Sequence, residues 1–365
     1  MKIVVNDIAA KKGTGGVFSV LEDFYKEARE FDSSIQWIFI LSDNYFPETE
    51  NIKIVVREDL KQSYIRRLWF EFFSGGKFIN DFDPDLYLSL QNTATRHVEA
   101  PQIVYLHQPL NYALPIKKFS FMKRSERRLA VYQRIIGRVI NLLLNLVKPY
   151  IIVQTSWLKS ILHSKFEWAE NRVIIYAPHL ANIVKDDQIS IDSNQFFYPA
   201  TKFLYKNHQA IFEAVRILER RGLTNFKVML TVNKADFPSE ADDEHIVFLG
   251  TISRKSVLEL YKSSVLLFPS YIETFGLPLV EAAMSGTRIL AADIPTTREV
   301  LQGYSNVDYF DYSNSHQLAD KMEALIGTRL SKRDFSTKSD GVQNDVELDN
   351  LVEVLMSLMR EIQHE

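Results

Sequence analysis

The feature of this sequence that most constrains its fold is a repeated pattern of short, uninterrupted apolar runs separated by amphipathic helical stretches. Continuous rather than alternating apolar runs are typical of parallel strands that are covered on both faces. They occur in two series, at residues 3–5, 35–41, 52–56, 86–90 and 103–106, and at 196–198, 228–232, 246–249, 265–268 and 288–291. We therefore expect an α/β protein with two Rossmann-like, doubly wound parallel-sheet domains.

The length and the polar stretches of the chain indicate where these domains begin and end. At roughly 150 residues per domain, the 365 residues suffice for two or three domains. The polar stretch 183–194 is the predicted linker, so we expect domains at residues 1–182 and 195–344. Residues 345–365 carry apolar side chains at helical spacing, which predicts a terminal helix packing across the domain junction.

Charge and cysteine content exclude several functional classes. Lys and Arg number 43 and Asp and Glu 46, a net charge of −3, so no nucleic-acid partner is expected. The absence of cysteine excludes disulfides, thiolate nucleophiles and Cys-ligated zinc, and suits the cytosol. Residues 1–7 hold too short an apolar run for a signal-peptide core, and the longest apolar stretch, 139–147, falls short of the roughly 20 residues that span a membrane. We expect a cytoplasmic protein on one side of the membrane.

The most informative stretch for function follows the apolar run 265–268. A short loop there carries Glu273 and Gly276, and the helix that begins next carries Glu281. The N–H groups at a helix start favour anions, and open α/β sheets bind ligands at this edge. Carboxylates accept hydrogen bonds from hydroxyls, so the two glutamates are able to bind different parts of one ligand, and a nucleotide sugar offers hydroxyls on both its ribose and its hexose.

Residues 268–286 read FPSYIETFGLPLVEAAMSG, with seven residues between Glu273 and Glu281. This stretch resembles the E-x7-E signature of glycosyltransferase family 4, whose members are retaining enzymes of the GT-B fold. Residues 247–250, 258–264, 292–295 and 298–300 continue the resemblance. It implies two domains facing across a cleft, the first binding an acceptor and the second a nucleotide sugar.

The resemblance also implies a phosphate-binding lysine in the second domain. The family places it in a G-R-x4-K-N stretch, where this chain has Lys206 at the lysine and Thr201 at the arginine. Lys202 is the candidate to replace the missing charge, although an ammonium lacks the bidentate fork of a guanidinium. For both lysines, a solvated position at the start of the next helix is the alternative.

Two features of the first domain resemble the family as well. Gly15 and Gly16 match its glycine loop, where backbone N–H groups approach a phosphate or an acceptor, and His107 matches the histidine near the reacting sugar. The alternatives are an ordinary turn and a buried structural histidine.

By resemblance, Glu273 holds sugar hydroxyls together with the amides of Phe275, Gly276 and Leu277, while Glu281 holds the ribose. Lys206, the helix start and the glycine loop stabilise the departing diphosphate, so neither a metal nor another cofactor is expected. An epimerase or hydrolase of the same fold is one alternative. A non-catalytic nucleotide-sugar-binding relative is another, favoured by Thr201.

Two other motifs are weaker. A nicotinamide-dependent oxidoreductase needs G-x-G-x-x-G, and Phe18 stands where the third glycine is required. Asp81, Asp83 and Asp85 resemble a metal-binding D-x-D, but they precede an apolar run rather than follow one, which is typical of a turn.

The segment 117–148 is basic and amphipathic. Apolar residues lie at helical spacing between its nine basic residues, opposed by one acid, Glu126. Such a segment predicts peripheral contact with an anionic membrane. The resemblance implies lipid-linked or oligosaccharide acceptors and a role in bacterial polysaccharide or O-antigen assembly, which agrees with membrane contact. Its end at 142–147 is expected to pack into the first domain. The cluster 66–73 belongs either to the same surface or to the core.

Overall fold

The computed structural model describes residues 1–12, 16–61, 63–178, 191–328, 348 and 350–364. The chain divides into two compact units, Met1–His179 with Gln343–Glu365, and Leu180–Val342. Most of the predicted linker lies outside the described residues. Within each unit the described strands form one parallel sheet, which confirms the predicted α/β class.

The first unit contains a seven-stranded sheet in its described part, in the order β3-β2-β1-β4-β5-β6-β7. Its strands are β1 (Lys2–Asp7), β2 (Gln36–Leu41), β3 (Ile52–Val56), β4 (Leu86–Ser89), β5 (Gln102–Tyr105), β6 (Tyr150–Val153) and β7 (Val173–Ile175). Its helices are α1 (Gly16–Glu30), α2 (Glu58–Lys61), α3 (Tyr64–Trp69), α4 (Gly75–Asn80), α5 (Arg127–Val131), α6 (Gly137–Val147) and α7 (Ser156–Lys165).

Helical stretches on both faces bury the central strands of this sheet, so that Ile3, Val4 and Val5 have no exposed surface. The strand order reverses between β1 and β4, which places the ligand-binding edge of such a sheet at their carboxyl ends. The π-helical turns Phe70–Ser74 and Tyr132–Ile136 join α3 to α4 and α5 to α6.

The second unit contains a six-stranded sheet in its described part, in the order β10-β9-β8-β11-β12-β13. The strands are β8 (Gln195–Tyr198), β9 (Lys227–Leu230), β10 (Ile246–Phe248), β11 (Val265–Phe268), β12 (Ile289–Ala292) and β13 (Val307–Phe310). The helices are α8 (His208–Arg220), α9 (Arg254–Ser263), α10 (Leu277–Met284), α11 (Pro295–Val300) and α12 (Ser315–Leu325). Here the order reverses between β8 and β11.

The terminal helix α13 (Leu351–His364) packs on the core of the first unit. Its first N–H groups, those of Leu351 and Val352, donate to Oε2 of Glu27 in α1 at 3.0 and 3.4 Å. A carboxylate at this position satisfies N–H groups that have no partner inside the helix and complements the helix dipole. Burial raises the pKa of Glu27 to about 7, and these hydrogen bonds oppose the rise.

The structure departs from the sequence-based expectations at several elements. Strands β6, β7 and β13 were not predicted. β13 is an edge strand whose residues are mostly half-buried, so it lacks a continuous apolar run. In the cluster 66–73, Phe70 is buried whereas Trp69 and Phe73 are about 60% exposed, so the cluster belongs partly to each of the two expected environments.

Candidate active site

Two loops of the second unit meet where its strand order reverses. β8 and β11 are hydrogen-bonded neighbours, with Phe196 opposite Val265, so the loops after them emerge side by side. The loop after β8 carries Lys206 and the loop after β11 carries Glu273. Lys206 Nζ donates to Glu273 Oε1 at 2.6 Å, and the two side chains are only 20% and 10% exposed. The structure therefore brings two of the predicted site residues together.

Backbone hydrogen bonds hold this pair in position. The carbonyl of Tyr205 accepts from the N–H of Tyr271 at 3.1 Å and from the hydroxyl of Ser270 at 3.2 Å. The Tyr198 hydroxyl donates to the Lys206 carbonyl at 2.8 Å, and the Thr296 hydroxyl donates to the Glu273 carbonyl at 3.1 Å. Both charged side chains consequently extend from backbone that is anchored to a neighbouring element.

Asn207 joins the same loop to two further loops. Its backbone is left-handed, with φ 59°, and its side-chain amide donates to the carbonyls of Pro269 and Tyr312 at 3.2 and 2.9 Å. Burial, with help from nearby Lys206, lowers the pKa of the next residue, His208, to about 4. His208 is thus neutral at pH 7, and Lys206 supplies the positive charge of this loop.

Helix α10 begins beside Glu273. Gly276 precedes it with φ +83°, Leu277 is its first residue, and no described side chain caps this end. This φ favours glycine, and a Cβ on Gly276 would lie 3.1 Å from Leu279 Cδ1 and 3.3 Å from Phe268 Cζ, so a larger residue would also have to displace these side chains slightly. Phe275 is buried before it. In this first turn Pro278 has no N–H and the Leu279 N–H donates to the Gly276 carbonyl at 2.8 Å, so Leu277 is the residue whose N–H is suited to bind an anion.

Glu281 lies one turn further along α10 and is also paired. Arg254 Nη2 lies 2.9 Å from its Oε1, and the Tyr261 hydroxyl donates to its Oε2 at 3.3 Å. Burial raises the pKa of Glu281, while Arg254 and Tyr261 both act to lower it. Each glutamate of the predicted pair is therefore held by a cation from another element.

Lys202 is engaged differently from Lys206. Its ammonium pairs with the carboxylate of Asp236, in the loop after β9, and its side chain is 64% exposed. β9 lies on the side of β8 opposite to β11, so this pairing directs Lys202 toward the other neighbour of the strand. Thr201 is exposed.

The remaining predicted residues belong to the first unit. Gly15 lies outside the described residues, and Gly16 is the first residue of α1. His107 follows β5 and is 9% exposed, and burial lowers its pKa to about 4. The backbone N–H groups of His107 and Gln108 donate to Asn92 Oδ1 at 2.7 and 2.8 Å, which fixes the start of this loop.

Sequence reasoning missed several residues at these two edges. Asp7, at the carboxyl end of β1, is fully buried, and its Oδ1 accepts from the Ala10 N–H at 3.1 Å. Burial raises its pKa to about 8, against the opposing effects of Arg67, of the Ala10 hydrogen bond and of Lys61. Its position at a strand end was a usable signal. No sequence signal pointed to Arg254, because most of helix α9 and strand β11 separate it from Glu281 along the chain.

The aspartates of the D-x-D-like stretch have local structural roles. Asp83 has a left-handed backbone, with φ 51°, and Asp85 Oδ2 accepts from the Lys2 N–H at 2.6 Å. Among the residues that the structure describes, no group of three or more His, Asp or Glu side chains is placed to hold a metal ion.

Helices α5 and α6, with the π-helical turn between them, form a continuous run, Arg127–Val147. By length and composition it is the one helix in the described part of the chain that is able to cross a membrane. Its longest stretch without a charged residue is 139–147, because arginines interrupt the earlier part. About a third of its most apolar window is buried, and helices in the cores of globular proteins pass the same test.

Known proteins are similar to parts of this chain. Residues 182–340, nearly all of the second unit, match the family described as Glycosyl transferases group 1. A relative from Salmonella typhimurium, the O-antigen chain mannosyltransferase RfbU, is 32% identical over 148 residues, which cover 38% of this chain and 41% of RfbU. The match thus spans less than half of the relative's length.

Solved structures resemble nearly the whole chain. HepE of Anabaena, determined with UDP and glucose, has a TM-score of 0.60 at 16% identity and covers 89% of each chain. WaaG, a glycosyltransferase involved in lipopolysaccharide biosynthesis, has a TM-score of 0.60 at 13% identity, covering 88% of this chain and 90% of its own. These similarities, with the two parallel sheets, confirm the predicted GT-B fold.

Proposed function

We propose that this protein is a retaining glycosyltransferase that moves a sugar from a nucleotide sugar to an acceptor hydroxyl. The observation that carries the proposal is the Lys206–Glu273 pair beside the start of α10, where the strand order of the second sheet reverses. The family match over residues 182–340 and the relatives of similar fold support it.

In the proposed complex, the charged groups at this edge of the second sheet bind different parts of the donor. Lys206 and the backbone N–H groups from Phe275 to Leu277, at the start of α10, stabilise the diphosphate, on which negative charge develops as the sugar leaves. Glu273 accepts hydrogen bonds from the sugar hydroxyls, and Glu281 accepts them from the ribose.

The proposed step needs no protein nucleophile. The acceptor oxygen forms a bond to the anomeric carbon on the face that the diphosphate leaves, and the bond from that carbon to the diphosphate oxygen breaks. The acceptor proton passes to an oxygen of the departing diphosphate. The products are a glycoside of unchanged anomeric configuration and a nucleoside diphosphate.

A ligand screen followed by an assay for products tests this proposal. Nucleoside diphosphates and nucleotide sugars are first screened for stabilisation against heat, since a ligand of the native state raises the unfolding temperature. GDP-mannose and UDP-glucose are the first donors to test, because RfbU is named a mannosyltransferase and HepE binds UDP and glucose. Transfer to an added glycan acceptor supports the proposal.

The same assay distinguishes the alternatives. Free sugar released in the presence of acceptor indicates a hydrolase, and an altered nucleotide sugar indicates an epimerase. Binding without turnover indicates a non-catalytic relative, for which the Thr201 substitution is the motivating feature. Failure of every nucleotide to bind contradicts the whole proposal.

We further propose that the acceptor is a lipid-linked glycan and that the first unit docks on an anionic membrane. Ile135, Leu142 and Leu146 are at least 50% exposed and recur at positions i, i+7 and i+11, so they share one helical face. Exposed arginines lie around this face and before it, at positions 124, 127, 128 and 138. Apolar and basic side chains together match lipid tails and anionic headgroups.

A second apolar stripe lies on a neighbouring helical stretch. Ile65, Trp69 and Phe73 are 79%, 62% and 60% exposed at four-residue spacing. Burial raises the pKa of Tyr132, in the π-helical turn after α5, to about 12, and Arg67 of α3 opposes the rise, so the two stretches lie within electrostatic range. Both stripes are included in the proposed docking surface.

Sedimentation with phosphatidylglycerol vesicles tests the membrane proposal. Changing Arg124, Arg127 and Arg128 to Glu is expected to release the protein from these vesicles, and Trp69→Ser with Phe73→Ser to weaken binding. The control changes three exposed lysines elsewhere, Lys53, Lys165 and Lys255, to Glu, and so alters the net charge equally. Release by the control as well as by the arginine variant contradicts a specific surface.

A further inference from the structure

Helix α9 presents two side chains to the carboxylate of Glu281. Arg254 and Tyr261 are seven residues apart, which is two helical turns, and therefore lie on the same face of α9. Arg254 holds Oε1 at 2.9 Å, and the Tyr261 hydroxyl holds Oε2 at 3.3 Å. Both oxygens of the Glu281 carboxylate are thus bound by side chains of a single helix.

These two contacts leave both oxygens able to accept further hydrogen bonds. An ionised carboxylate offers about four acceptor sites on its two oxygens. Arg254 and Tyr261 occupy one site on each oxygen, so about one site per oxygen remains for a ligand. Two such sites on adjacent oxygens match two neighbouring hydroxyls, such as the 2′ and 3′ hydroxyls of a ribose.

Burial works against the ionised form that this match requires. The Glu281 side chain is 11% exposed, and burial raises its pKa. A protonated carboxyl loses one acceptor site to its own hydrogen and becomes a donor there. Arg254 counteracts this rise in the pKa of Glu281. Its side chain is 60% exposed, so the guanidinium is able to remain in place when a ligand approaches.

We propose that Arg254 and Tyr261 are positioning residues, which keep the Glu281 carboxylate oriented and ionised so that both of its oxygens accept hydrogen bonds from a ribose diol. The inference rests on the nucleotide-sugar function proposed above and deepens it. Arg254 is the cation of the ribose end of the site, as Lys206 is the cation of the diphosphate end.

Calorimetric titration of the full chain tests this role. UDP and GDP are each compared with their 2′,3′-dideoxy analogues, which lack the diol but keep the base and the diphosphate. Arg254→Met is expected to weaken ribonucleotide binding about tenfold or more, because it removes a charge that supports the acceptor. Binding of the dideoxy analogue should change less than about twofold.

Three further variants separate positioning from a general structural effect. Arg254→Lys keeps the charge and is expected to restore most of the ribonucleotide affinity. Tyr261→Phe removes a longer hydrogen bond and is expected to cost about threefold, again for the ribonucleotide alone. Lys255→Met removes a charge from the adjacent exposed position and should leave both ligands unaffected.

Each contrary result has a distinct meaning. If Arg254→Met weakens both analogues equally, or neither, the positioning role is wrong while the proposed function stands. If the wild-type protein binds a ribonucleotide no better than its dideoxy form, the diol contact of Glu281 is wrong, and this role falls with it. If no nucleotide binds the wild-type protein, the proposed function itself fails.

Discussion

The two units place ionisable side chains at equivalent edges of similar sheets, and burial shifts pKa values in both, but the two glutamates of the second unit are in addition paired with cations. In the first unit burial dominates. It raises the pKa of Asp7 to about 8 and lowers that of His107 to about 4, so both are neutral at pH 7. In the second unit Glu273 and Glu281 are each paired with a cation, Lys206 and Arg254.

This difference shows how one topology provides two electrostatic environments. Burial penalises the charged form of an ionisable group, whereas a nearby opposite charge stabilises that form. In the function proposed above, neutral groups suit the uncharged hydroxyls of an acceptor, and a charged edge suits a diphosphate donor.

The largest expected effect comes from removing a charge of the second unit. Glu273→Gln preserves the size of the side chain but leaves Lys206 without its anionic partner. We expect turnover of the donor identified in the screen to fall about 10²- to 10³-fold, as for other preorganised groups of an active site. Glu259→Gln, at an exposed position of α9, is the matched control. Equal turnover in the two variants would remove Glu273 from the site.

The next effect concerns the buried acid of the first unit. Because the folded-state pKa of Asp7 is raised from 3.8 to about 8, the native protein binds more protons than the unfolded protein between these pH values. Stability is then lost as the pH rises through this window, by at most about 1.4 kcal/mol per pH unit, and the loss levels off above pH 8. Asp7→Asn, always neutral, should show a flatter dependence of its unfolding temperature between pH 5 and pH 9.

This prediction is checked by following thermal unfolding of both proteins across that range. The two curves should separate with rising pH, the variant being the more stable at pH 9. Parallel curves would mean that Asp7 is ionised in the folded protein, and the contrast between the units would then be lost.

A smaller effect is expected from the backbone of the second unit. Gly276→Ala and Gly222→Ala both place a side chain at positive φ, +83° and +82°, which costs about 1–2 kcal/mol. A Cβ at Gly222 meets nothing within 4 Å, whereas one at Gly276 is crowded beside the start of α10. Both variants should unfold more easily, but only Gly276→Ala should weaken nucleotide binding. Equal nucleotide affinity in the two variants would argue against an anion site at this helix start.

The smallest effect is expected at Lys202, whose ammonium is engaged by Asp236 in an exposed ion pair. Lys202→Ala should lower donor affinity less than about fivefold, since such pairs contribute about 1 kcal/mol at most. Titration beside Lys206→Ala measures this difference. Equal losses would show that Lys202 leaves Asp236 and replaces the missing arginine.

The sequence by itself determined the features that depend on local pattern. Continuous apolar runs predicted most strands, with β3 and β11 matching in full, because burial on both faces of a parallel sheet excludes polar residues. The sequence also indicated that Lys206 and Glu273 each follow a strand. The loops after two neighbouring parallel strands emerge at the same edge of the sheet.

Only the tertiary structure decided which side chains meet. The pairing of Lys202 with Asp236, and of Arg254 with Glu281, depends on which strands and helices are neighbours in space, which no local period encodes. Burial of Asp7 likewise depends on surrounding elements, and the edge strand β13 had no apolar run to reveal it. Periodicity records the average environment of a segment, whereas the charge state of a site depends on individual long-range contacts.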